Sequence, residues 1–99
     1  MRVRVSVLAS GSAGNALVVE AASGCVLIDC GLSLRALQQR ARGVGVDVSR
    51  VDAVLVTHEH GDHVRGLEML VRRLRVPVLA TAGTAAALAV AGVEPALAS

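Results

Sequence analysis

The chain has 99 residues, which allows one domain with a modest core and no more. A hydrophobic fraction of 54% and a mean hydropathy of +0.62 exclude an intrinsically disordered segment, and the lack of Phe, Tyr and Trp excludes aromatic platforms for stacking single-stranded bases. The net charge of +2, with a pI near 9.0 and every basic residue an Arg, is too weak a bias to indicate a polyanion partner by itself.

In chain order, residues 2–8 alternate polar and apolar, which predicts a half-buried strand. Residues 10–15, with Gly11, Gly14 and Asn15, form a loop signal. Its backbone N–H groups suit either a structural turn or a contact with phosphate at a site. Residues 17–20 and 25–29 read as two strands joined at Ser23-Gly24, a hairpin. Ser33 is placed to cap a helix through about residue 42, with Leu34, Leu37 and Ala41 on its inner face and Gly43 and Gly45 ending it. Residues 52–57 carry a continuous apolar run, which predicts a strand buried on both faces. A helix over 66–75 would turn Leu67, Leu70, Val71 and Leu74 inward, followed by a short strand at 76–79 and an Ala-rich helix from 84 to about 91. Strands alternating with helices after an initial hairpin predict an α/β or α+β class, helices on a mixed sheet.

Residues 76–93 carry no charge, but Pro77, Gly83 and Gly92 interrupt them, and a strand plus a buried helix accounts for them better than a membrane span. Arg2 and Arg4 break the N-terminal apolar residues, so no export signal is read there. Cys25 and Cys30 lack CxxC spacing, and their odd separation would point them to opposite faces of one extended segment. They read as buried free thiols of a cytoplasmic protein.

The chemistry concentrates in His58-Glu59-His60-Gly61-Asp62-His63, which holds all three histidines of the chain. Neutral imidazole and carboxylate are the donors that zinc, manganese and iron accept near neutral pH. His58 and His60, two apart on an extended segment, point the same way and suit one metal; Asp62 and His63 follow where the chain turns and suit a second. Two such ions about 3.5–4 Å apart share a hydroxide and clamp a transferring phosphoryl or acyl group, and each lowers the pKa of its bound water toward about 7. Glu59 lies between two candidate ligands and reads as an exposed loop residue. The zincin pattern His-Glu-x-x-His is excluded, because position 62 is Asp. Asp29 closes the apolar run Val26-Leu27-Ile28 at a strand end, where sites on such sheets collect. It suits either a partner that orients a ligand histidine or a carboxylate capping the turn near Gly31. Asp62 and Asp29 are thus the candidate catalytic carboxylates, and His58, His60, Asp62 and His63 the candidate metal ligands. Arg65, Arg72, Arg73 and Arg75 cluster around the helix after the motif; Arg65 and Arg72 lie two turns apart with Glu68 between them, the spacing of a solvated, ion-paired face, with phosphate contact as the alternative.

The motif His-x-His-x-Asp-His at 58–63 resembles that of the metallo-β-lactamase superfamily, and Asp29 in Leu27-Ile28-Asp29-Cys30-Gly31 is similar to that family's earlier strand-end aspartate. Ala9-Ser10-Gly11-Ser12-Ala13-Gly14-Asn15, Asp29-Cys30-Gly31-Leu32-Ser33 and Val54-Leu55-Val56-Thr57-His58-Glu59-His60 resemble a branch of small bacterial exonucleases and phosphodiesterases. The resemblance implies the N-terminal half of a four-layer αβ/βα sandwich, a zinc-dependent hydrolase with two ions in the complete domain and manganese as the other candidate. It further implies nucleic acid or another phosphodiester as substrate, with thioester, lactone or lactam hydrolysis as the alternative. The downstream histidine, bridging aspartate and second histidine of the family have no counterpart, since no His follows His63 and no Asp follows Asp62. Residues 1–99 therefore read as an incomplete domain. It is either part of a longer protein or completed by a second chain or a homodimer, and a non-catalytic metal-binding fragment is the reading outside the enzyme class.

Overall fold

The structure is a computed structural model that describes residues 2–58, 60–84, 86 and the backbone of 96 and 97. Six strands form one sheet in the order β1 (Val3–Ala9), β2 (Ala16–Ala21), β3 (Gly24–Ile28), β4 (Ala53–Val56), β5 (Val78–Ala80) and β6 (Ala96–Leu97). The first three pair antiparallel, β1 to β2 through the loop at 10–15 and β2 to β3 through a two-residue turn, and β3 to β6 pair parallel. Parallel neighbours need a crossover. Helix α1 (Leu34–Gly43) with a 3-10 turn (Val48–Arg50) connects β3 to β4, and α2 (Gly61–Val64) with α3 (Leu67–Leu74) connects β4 to β5. The α/β class expected from the pattern is the one found. The strand β6 was not anticipated, and the helix expected from Thr84 to about Ala91 falls largely outside the described residues.

Helix α1 starts where Ser33 predicts: the Ser33 hydroxyl accepts from the Ala36 N–H at 3.2 Å, satisfying one of the orphan donors of the first turn. Leu34, Leu37 and Ala41 are buried, as their spacing requires. On α3, Leu67 and Leu70 are buried, and Val71 and Leu74 pack partly buried against the same core. That core joins them to Leu8, Val18, Leu27, Val54, Val56 and Val78 on one face of the sheet.

The other face carries a row of apolar side chains directly opposite one another in the ladder: Val7, Leu17, Ile28, Leu55 and Leu79. A second row holds Val5, Val19, Val26 and Ala53. Half-burial of β1 is as expected, whereas burial of β4 on both faces is corrected. In β1 it is Ser6 and Leu8 that are buried, while Val3, Val5 and Val7 are 54%, 59% and 61% exposed, so the valine face is the open one. In β4, Val54 and Val56 are buried, but Ala53 and Leu55 are only half-buried, because the helices cover one face. No described helix is long and apolar enough to cross a membrane.

Candidate active site

Because β3 and β4 run parallel with Ile28 opposite Leu55, the residues that leave them, Asp29 and Thr57, emerge side by side at the same sheet edge. Asp29 takes a left-handed backbone, φ 63°, which Asp tolerates better than most side chains. From there its carboxylate faces the segment after β4. Oδ1 accepts from the Thr57 N–H at 2.8 Å, and Oδ2 accepts from the Thr57 hydroxyl at 2.6 Å and from His63 Nδ1 at 2.7 Å. The carboxylate therefore orients a histidine of the motif and does not cap the turn at Gly31. Thr57 Oγ1 also lies 2.9 Å from His58 Nδ1.

Asp62 and His63 sit on the one-turn helix α2, a turn in the sequence reading, with the His60 carbonyl accepting from the His63 N–H at 2.9 Å. The His58 ring lies 4.7 Å from that of His63 and 6.4 Å from that of His60, centroid to centroid. His63 Nε2 is 3.6 Å from Asp62 Oδ2. His58 and His60 are exposed, whereas His63 is 19% and Asp29 8% exposed in their side chains. Glu59 lies outside the described residues.

The donor set, three imidazoles and a carboxylate, fits a borderline-soft divalent cation. The 3.6 Å between His63 Nε2 and Asp62 Oδ2 is close to the roughly 3.3 Å that separates two donors on one tetrahedral zinc. Among the described residues no three His, Cys, Asp or Glu groups close on a common point. Four donors also fall short of about three protein ligands for each of two ions.

Two loops clamp the motif. The Asp62 carbonyl accepts from the Asn15 N–H at 2.7 Å and from its side-chain amide at 3.0 Å, and that amide also reaches Asp62 Oδ2 at 3.3 Å. The His63 carbonyl accepts from Cys30 N–H at 2.8 Å, and the Cys30 carbonyl accepts from Gly66 N–H at 2.9 Å. Residues 10–15 thus hold the motif from beside it. Arg65 donates to the Ala13 carbonyl at 3.3 Å and does not join Glu68, which pairs with Arg72 at 2.7 Å. Thr57 and Asn15 were not singled out in sequence as site residues, one reading as a strand end and the other as a turn former.

Cys30 adjoins this network but is no candidate ligand. Burial, and then the Asp29 carboxylate, push its thiol up to about 12, and it donates to the Leu32 carbonyl at 3.7 Å. Cys25 is likewise a free buried thiol.

Comparison with known proteins agrees with this architecture. The chain is 42% identical over 84 residues to exodeoxyribonuclease YycJ of Bacillus anthracis, covering 85% of this chain and 32% of that protein. It is 43% identical over 86 residues to ribonuclease Z of Methanopyrus kandleri, covering 79% and 29%. The solved structure of the Rm3 metallo-β-lactamase superposes with a TM-score of 0.73 at 32% identity, over 86% of this chain and 32% of that one. The chain thus spans about a third of the length of the curated relatives it matches, and corresponds to the N-terminal part of such folds. Residues 9–98 match the model of the metallo-β-lactamase superfamily, and the chain belongs to that family.

Proposed function

We propose that the chain is the metal-binding N-terminal portion of a zinc-dependent phosphodiesterase, with nucleic acid as its substrate, working in the cytoplasm. The observation that carries the reading is the gathering of His58, His60, Asp62 and His63 at one sheet edge, with Asp29 hydrogen-bonded to His63. The names of the relatives, an exodeoxyribonuclease and a ribonuclease, support the substrate class.

In this reading His58, His60, Asp62 and His63 hold the metal, zinc in the first place and manganese as the other candidate. When bound, a divalent cation supplies an acidified water and offsets charge on a phosphoryl group. The chain's own residues do the rest. Asp29 holds His63 by Nδ1 and leaves Nε2 free to ligate, as a ligand histidine's hydrogen-bonded partner does. Asn15 holds the Asp62 backbone so that its carboxylate stays beside His63. The test is cleavage of DNA and RNA by the metal-loaded protein that contains this chain. Cutting of either, lost in His58→Ala, is expected; both left intact sinks the nuclease reading.

A second reading follows from the shortfall of ligands: the 99-residue chain binds metal without turning over substrate until further ligands are supplied, by the rest of a longer protein or by a second copy. Native mass spectrometry of the chain with zinc separates these arrangements. Two ions per unit in a dimer indicate completion by another copy, and a monomer with one weakly held ion indicates a portion of a longer enzyme. The similarity to a β-lactamase keeps lactam, lactone and thioester hydrolysis as the alternative chemistry on the same site.

A further inference from the structure

Resting on the reading of the motif histidines as ligands, we propose that Thr57 is a positioning residue. Its hydroxyl relays the Asp29 carboxylate to His58, so that one buried carboxylate sets the ring orientation and tautomer of two histidines at once.

The argument is a count of hydrogens. A carboxylate only accepts. At 2.6 Å from Asp29 Oδ2, the Thr57 hydroxyl must therefore donate to it, and at 2.7 Å His63 Nδ1 must donate as well. Thr57 has a single hydroxyl hydrogen. With that hydrogen directed at Asp29, only lone pairs of Oγ1 face His58 Nδ1 at 2.9 Å. His58 Nδ1 must then carry hydrogen. Both rings end with hydrogen on Nδ1 and a bare lone pair on Nε2, the nitrogen that can ligate. The Thr57 backbone N–H fixes the other carboxylate oxygen at 2.8 Å, so Asp29 cannot rotate out of the relay without losing all three partners. His60 stands apart: among the described residues its ring makes no hydrogen bond and no group selects its tautomer. The direct hold of Asp29 on His63 is local to those two residues, whereas the relay joins the carboxylate to the opposite end of the motif.

Long-range proton–nitrogen correlation spectra of the metal-free chain, taken above the pH at which imidazole protonates, read this directly. His58 and His63 should both show hydrogen on Nδ1, and His60 the mixture of a free imidazole. In Thr57→Val, His58 should revert to that mixture while His63 keeps its tautomer, and zinc affinity should fall about tenfold. Thr57→Ser, which keeps the hydroxyl, should restore both. Hydrogen on His58 Nε2 in the unsubstituted chain overturns the relay, and so does a Thr57→Val spectrum identical to the parent's. Should Thr57→Val fail to fold, the parent and Thr57→Ser spectra decide by themselves. A chain with the expected tautomers but no affinity for zinc or manganese supports the relay and removes the metal reading, so the two fail separately.

Discussion

Asp29 is the residue on which the site depends most. Three donors converge on its two oxygens, and the left-handed backbone that aims it there is stored strain of the kind found at functional positions. Asp29→Asn puts an NH2 donor where only acceptor oxygens stood, so at least one of the three donors is left facing another donor. Zinc affinity should fall about 10–100-fold with the chain still folded, checked by competition with a chromophoric chelator and circular dichroism. A second residue-level expectation concerns alkaline pH. The folded chain keeps the Cys30 proton to about 12, whereas an unfolded chain releases it from the ordinary 9.0. Between those values the native state binds more protons, so stability present in full below 9.0 declines as pH rises through the window. Burial moves Cys25 the same way. With no Lys and no Tyr in the chain, and Arg charged throughout, few other side chains mask the effect. Urea midpoints at about pH 8 and about pH 11 should differ, and Cys30→Ala should reduce the difference. Residue type and spacing alone singled out the motif and Asp29, which the structure brings together. Thr57 and Asn15 were not singled out, because their roles come from contacts across 28 and 47 residues of chain.

At the scale of elements, the junction between the loops at 13–15 and 30–32 and the motif is packed without room for side chains. A Cβ at Gly31 would fall on the Asp62 carbonyl, and one at Gly66 on the Leu32 carbonyl. Gly31→Ala should therefore cost about 3 kcal/mol or more. Gly43→Ala, at the end of α1 with open space around it, should stabilise by roughly 0.5 kcal/mol. Thermal melts of the two variants check the contrast, since both make the same chemical change. Helix α1 was readable because its signals are local: a capping serine, an apolar stripe and terminal glycines. Helix α2 was not, since four residues are too few to show a period and tertiary hydrogen bonds, not propensity, hold them. Strand β1 was found but not which of its faces is buried, because alternation marks two faces without saying which one the helices cover.

For the molecule as a whole, the described helices cover one side of the sheet, and both sides are apolar. Rows such as Val7, Leu17, Ile28, Leu55 and Leu79 form a continuous surface of the kind that marks an association face. In the 99-residue chain, Val5→Thr with Val7→Thr should leave stability within about 0.5 kcal/mol and reduce self-association, as read by sedimentation velocity. An unchanged sedimentation profile would show that this face does not drive association. The order of β1 to β5 along the chain and the helix-covered core followed from periodicity, whereas the exposure of Val3, Val5 and Val7 did not, since a strand sequence does not record what lies opposite it. The clamp at the sheet edge also limits how the molecule can move. The histidine-bearing loop cannot swing outward alone, because its carbonyls at 62 and 63 are held by amides at 15 and 30, and those segments are in turn tied to each other through the Gly31 N–H and the Asn15 carbonyl at 2.9 Å. Opening one means opening all three, an event close to unfolding that edge. The segment at 62 and 63 is thus a fixed floor, and any opening at this end of the sheet must come from segments other than these three.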